Sequence, residues 1–113
     1  MPLGTLATIG MMKANNNSAY ETAESEVFKP MHQKSVNEGL KGSWSMARII
    51  SPSGSETFAS HFTINMYKDL DQYISESKVD FGDWVTDWEP VNKGLETRDM
   101  RWVYMATLER KLR

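Results

Sequence analysis

The sequence contains no cysteine, which excludes disulfides, thiolate-bound metals and a cysteine nucleophile. No apolar stretch approaches the ~20 residues needed to span a bilayer. Charge of either sign is never concentrated: 13 basic and 15 acidic side chains leave a net charge of −2 and a pI near 5.7. A polyanion-binding footprint is missing, which argues against a nucleic-acid partner. There is no glycine-rich phosphate loop, Ser-His-Asp ordering or HExxH motif, and nothing supports a bound nicotinamide. The apolar opening "PLGTLATIGMM" lacks a basic region before it and runs into a polar turn, so it is expected to be a strand rather than a signal peptide. These absences lead to the expectation of a soluble, cytoplasmic protein without membrane or nucleic-acid partners and without a cofactor.

What is present is an ordinary globular composition: 113 residues, 40% hydrophobic, with four tryptophans and eight methionines. That length fits one domain, residues 1–113, able to bury roughly two thirds of its unfolded surface.

Periodicity supplies the elements. Residues 3–13 are apolar and end at the turn formers "KANNNS", giving a first strand. Ser18 with Glu21 matches a capping box, and Ala19, Tyr20, Ala23, Val27, Phe28, Met31 and Ser35 recur at helical steps. Glu21, Glu24, Ser25, Lys29 and Gln33 fall on the remaining face. Gly39 is the natural terminator, and Pro30 is expected to bend the helix because it lacks an amide donor. "SWSMARII" (43–50) and "TFASHFTINMY" (57–67) read as a hairpin around "SPSGSE". Residues 68–78 read as a shorter helix and 79–95 as a loop with a short helical piece limited by Pro90. Residues 98–109 form the last strand. The order β-α-β-β-α-β is that of the α+β ferredoxin-like plait, a four-stranded antiparallel sheet with helices on one face.

Alternation divides the strands into two sets. Trp44, Met46 and Arg48, with Phe58, Phe62, Ile64 and Met66, and with Met100, Trp102 and Tyr104, make a large aromatic set expected under the helices. Ser45, Ala47, His61, Thr63, Asn65, Tyr67, Arg101, Val103 and Met105 make a mixed set. It is expected to meet a second copy, giving a homodimer through sheet faces.

The element order, with "EVFKPMHQKSVNEGLKGSWSMARIISPSG" followed by "FTINMYKDLDQY", resembles uncharacterised bacterial members of the dimeric α/β-barrel superfamily, in which two ferredoxin-like protomers pair through their sheets. The wider superfamily includes cofactor-independent monooxygenases, haem-degrading monooxygenases, small isomerases and stress-responsive proteins. The resemblance implies a pocket between sheet and helices in each protomer. The haem-degrading branch places a haem-ligating histidine on its second helix, and "KDLDQYISESK" has none.

His32 is the first candidate for such a site, as a general base or hydrogen-bond donor. Its bland alternative is a half-exposed histidine near carbonyls freed by Pro30, since it lies at the boundary of the buried stripe. Arg48 would orient an anion, or else pair with a helix glutamate. Tyr104 could move a proton, and Trp44 and Trp102 could wall a planar ligand, although aromatic residues are more often core. Asp80, Asp83 and Asp87 more naturally form the wet side of a short helix than a metal site, so no metal is expected. The expected function is a small enzyme of the cofactor-independent monooxygenase or isomerase kind acting on a planar anion. The alternative is a non-catalytic dimeric module that binds a metabolite or supports an assembly.

Overall fold

A computed structural model of the chain describes residues 3–52, 54, 56–80, 82 and 84–109. The elements follow as β1 (Leu6–Ala14), α1 (Asn17–Ala23), a π-helical turn (Glu24–Phe28), α2 (Lys29–Asn37), β2 (Ser43–Arg48), β3 (His61–Tyr67), α3 (Leu70–Ser77), α4 (Glu89–Leu95) and β4 (Arg98–Thr107). The four strands form one antiparallel sheet in the order β2-β3-β1-β4. Each helical connection therefore steps over one strand, and the expected βαββαβ plait is present.

The first helical run begins earlier than the Ser18 capping box suggests. Asn16 is the N-cap, its Oδ1 accepting from the Ala19 amide at 2.9 Å. Asparagine is as good a cap as serine, and capping the orphan amides two residues earlier lengthens the helix. At the other end Gly39 adopts φ +75, with Leu40 N–H donating to the Ser35 carbonyl and Gly39 N–H to that of Val36. This paired-bond termination needs a left-handed residue, which glycine supplies without strain.

Between α1 and α2 the helix widens. The Lys29 amide bonds the Glu24 carbonyl, five residues back, just before Pro30 at the head of α2. Tyr20, Glu24, Phe28 and His32 recur every four residues. In a regular helix that step drifts by roughly 40° each time, and the wider π turn takes up part of the drift. Glu24 and Phe28 are consequently both buried, a correction to the regular periodicity that puts Glu24 on the polar face. α4 packs against this turn through Val91, which joins Ala23 and Phe28 in a small core cluster. Pro90 opens α4 rather than limiting it, because a proline at the first helical turn sacrifices an amide that has no partner anyway.

The register settles the faces. Arg48 pairs with His61 and Trp44 with Asn65, while Asn65 pairs with Thr8 and Thr63 with Gly10. Leu6, Thr8, Gly10, Met12, Trp44, Met46, Arg48, His61, Thr63, Asn65 and Tyr67 thus share the face under the helices. The opposite face carries Ile9, Met11, Phe62, Ile64 and Met66 together with Trp102 and Tyr104, across from Met11 and Ile9. The expected assignment holds for β2 and is inverted for β3 and for the middle of β4. Two features cause this: the β2–β3 register places His61 rather than Phe62 beside Arg48, and a bulge in β4 opposite Met11 and Met12 shifts its alternation. A slip of one residue flips every side chain to the other face.

Candidate functional site

A cavity of about 300 Å³ lies between the helical run and the sheet, lined by Met12, Glu24, Phe28, Met31, His32, Lys41, Thr63, Asn65, Glu76, Arg98 and Met100. Its floor is the polar strip of β1 and β3, and its roof is the helix face that the π turn straightens. Lys41 reaches in from the turn after Gly39 and is only 4% exposed. Its Nζ lies 2.6 Å from Asn65 Oδ1, 3.0 Å from His32 Nδ1 and 3.0 Å from Glu76 Oε2. Two of the three ammonium hydrogens thus go to Asn65 and His32, while Glu76 balances the charge as an ion pair. Glu76 is fixed from its other oxygen by the Tyr67 hydroxyl at 2.6 Å, and Asn65 donates to Thr8 Oγ1 at 3.1 Å.

This network determines the state of His32. Because the Lys41 ammonium can only donate, His32 Nδ1 must accept, and the ring proton sits on Nε2. Nε2 has no hydrogen-bond partner among the described residues and is not sealed from solvent. The ring stacks on Trp44 with centroids 4.7 Å apart and planes 11° from parallel. Burial, and then the positive charges of Lys41 and Arg98, bring the imidazole down to about 3. His32 is thus a neutral donor at pH 7 and a weak base, since a base of such low pKa drives little proton transfer.

Two further groups complete the cavity. Glu24 is 2% exposed, and burial pushes its carboxyl up, with the Tyr20 hydroxyl and Arg98 opposing. Arg98 lies over the Phe28 ring at 4.6 Å and donates to the Gly94 carbonyl at 3.2 Å. It has no carboxylate within ion-pair distance among the described residues. Burial also lowers the Lys41 ammonium, and Glu76 partly restores it.

Of the residues singled out from the sequence, His32 and Trp44 are brought together here. Arg48 shares their face of the sheet but lies at its rim, in a two-point ion pair with Glu21 that holds the Glu21 carboxyl down. Tyr104 and Trp102 are on the opposite face, 49% and 58% exposed, so they cannot reach the same ligand as His32. His61 is fully buried beside Glu21, edge-on to Tyr20 at 4.6 Å and bonded at Nδ1 to Ser60 Oγ. It is a structural histidine, not one at an interface. Asp80 Oδ1 accepts from the Gly82 amide and Asp87 Oδ1 from the Glu89 amide, which are turn and cap roles. Asp83 lies outside the described residues. Lys41, Asn65, Glu76, Glu24 and Arg98 are the cavity residues that sequence reasoning did not assemble.

No family model matches the sequence, and no curated protein matches it. Among solved structures the chain is similar to a dimeric ferredoxin-like protein from an uncultured marine organism. The two share 16% identity with a TM-score of 0.64 over 96% of this chain and 98% of that one. The fold is ferredoxin-like. No helix among the described residues is long and apolar enough to cross a membrane.

Proposed function

We propose that this chain forms a homodimer through its open sheet face and that each protomer binds a small, planar organic anion in the cavity between helix and sheet. The observation that carries the ligand reading is the presence together of Arg98, a cation with no carboxylate at ion-pair distance among the described residues, and the His32 Nε2–H, which no described residue accepts, in a cavity of about 300 Å³. Lys41 is already matched by Glu76, and His32 is neutral, so Arg98 leaves the cavity with one positive charge when Glu24 holds its proton. Phe28, Met12, Met31 and Met100 supply apolar walls, and the methionines adapt to different ligand outlines. The dimer reading draws on the hydrocarbon composition of the open face and on the dimeric state of the solved ferredoxin-like relative.

Within that reading, acid–base chemistry of the isomerase kind suits the cavity better than oxygenation. Glu24 is a buried carboxyl able to hold a proton, whereas no residue there favours a monooxygenase reading. The purely structural alternative draws on Lys41, whose charge is already balanced by Glu76 without any ligand. Calorimetry with planar aromatic carboxylates and their neutral amides separates the two. The acids should bind and the amides should not, and Arg98→Ala should abolish the difference. Equal affinity for acid and amide, or no binding of either, would sink the anion-site reading.

A further inference from the structure

Glu24 is out of proportion to any structural need. Its side chain is 2% exposed, has no ion pair among the described residues and faces a cavity with room for a ligand. Burying a carboxyl costs stability in either protonation state, through desolvation or through the energy of holding the proton, and here Arg98 and the Tyr20 hydroxyl offset that cost only in part. An alanine or leucine would pack beside Ala23 and Phe28 without that cost. The helix also departs from regular geometry at this point: Glu24 opens the π turn, and such turns recur at functional positions because they redirect side chains. The redirected stripe brings Glu24 and His32 onto one cavity wall, with Arg98 on the strand opposite.

We propose that Glu24 is the catalytic residue of this cavity and that the ligand class is the planar 2-oxo carboxylates. It would take a proton from the carbon beside the carbonyl and return one to it. This rests on the anion-site reading above. Arg98 would hold the carboxylate, and His32 Nε2–H would donate to the carbonyl oxygen. The C–H bond breaks, its electron pair becomes the enolate C=C bond, and the charge passes to oxygen, where a donor stabilises it. The proton rests on Glu24 and returns to carbon, so enolisation and its reversal consume no oxidant, reductant or second substrate. A carboxyl raised toward neutrality is a better base than an ordinary glutamate once ionised, which matches the demand of this step.

The test is deuterium exchange at C3 of pyruvate, 2-oxobutanoate and phenylpyruvate in D2O, followed by proton NMR beside calorimetric binding of the same compounds. The wild-type chain should accelerate exchange of at least one of them by about 100-fold over Glu24→Gln. Glu24→Gln should keep its affinity for that compound, and Glu24→Asp should recover part of the rate. The wild-type rate should rise with pH through an apparent pKa above that of an ordinary glutamate. Binding with equal exchange in wild type and Glu24→Gln would overturn the role of Glu24 and leave the anion site standing. Absence of binding by all three compounds would overturn this proposal, whereas the acid and amide comparison decides the anion site separately.

Discussion

The two faces of the sheet differ in a direction opposite to the usual rule. The face covered by helices contains Thr8, Thr63, Asn65 and His61, and over it lie Lys41, Glu76 and Glu24, all removed from water to a large degree. The uncovered face is a row of Ile64, Ile9 and Tyr104 beside a row of Phe62, Met11 and Trp102. Proteins bury hydrocarbon and expose charge unless a partner or a function intervenes. Each half of the inversion therefore points to something: an uncovered apolar sheet to a second copy, and a covered polar strip to a site. The largest effect is expected where the first half is broken. Ile64→Glu places a carboxylate in the middle of the apolar rows, and sedimentation should show the dimer dissociation constant rising at least ~100-fold, since an unpaired buried charge costs several kcal/mol. A wild-type chain that sediments as a monomer at micromolar concentrations would remove the contrast altogether.

The covered face should be almost as sensitive, for a different reason. Lys41→Met leaves Glu76, Asn65 and His32 Nδ1 facing an apolar group, and such a one-sided deletion of a buried pair costs ~3–5 kcal/mol. Lys41→Met combined with Glu76→Gln removes both charges, so urea unfolding should show a double variant more stable than Lys41→Met alone. If Lys41→Met costs as little as an exposed salt bridge, the network is not a stabilising feature.

The order of elements was legible because alternation and helical steps survive in the sequence, and because Gly39 and the turn formers after β1 mark ends by local chemistry. The placement of His32 and Trp44 between helix and sheet was legible for the same reason, since each falls at the edge or on the inside of a regular pattern. Lys41 was not, because it lies in a turn between Gly39 and Gly42, where no period tells inside from outside. Glu24 was misread since a regular helix would turn it outward. The sign of its burial was present in the strict four-residue recurrence of Tyr20, Glu24, Phe28 and His32 ahead of Pro30. The faces of β3 and β4 depended on register and a bulge, which a single strand does not encode by itself.

Acidity distinguishes the buried groups from one another. His32 is held near 3 in the folded chain and titrates near ~6.5 when unfolded, so between those values the unfolded state binds the extra proton. Stability from this group is complete above the unfolded value and is lost as pH falls, at a limiting slope of about 1.4 kcal/mol per pH unit. His61, also lowered by burial, acts in the same direction. Glu24, raised by burial, acts oppositely: its contribution is complete below the unfolded value and is lost as pH rises through the folded one. Urea midpoints measured from pH 4 to 8 should therefore show a shallower acid limb in His32→Gln. Glu24→Gln should be more stable than wild type at the alkaline end. A Glu24→Gln chain no more stable at pH 8 would mean that the carboxyl is not strained in place.

The smallest effect should come from a candidate that the sequence offered as the ligand's anchor, Arg48, and a pair of arginines explains why. Arg48 and Arg98 both rise from the helix-covered face, but Arg48 stands at its rim with the Glu21 carboxylate in a two-point pair, and its side chain is half exposed. Arg98 stands over Phe28, inside the cavity wall, donating to a backbone carbonyl and with no carboxylate at ion-pair distance among the described residues. A guanidinium already matched by a carboxylate has little left to give an anion, and an exposed pair contributes little to stability. Arg48→Ala should thus leave both the urea midpoint and the affinity for planar carboxylates within experimental error, while Arg98→Ala removes the affinity. If instead Arg48→Ala weakens binding as strongly as Arg98→Ala, the ligand reaches the sheet rim and the cavity is only part of its site.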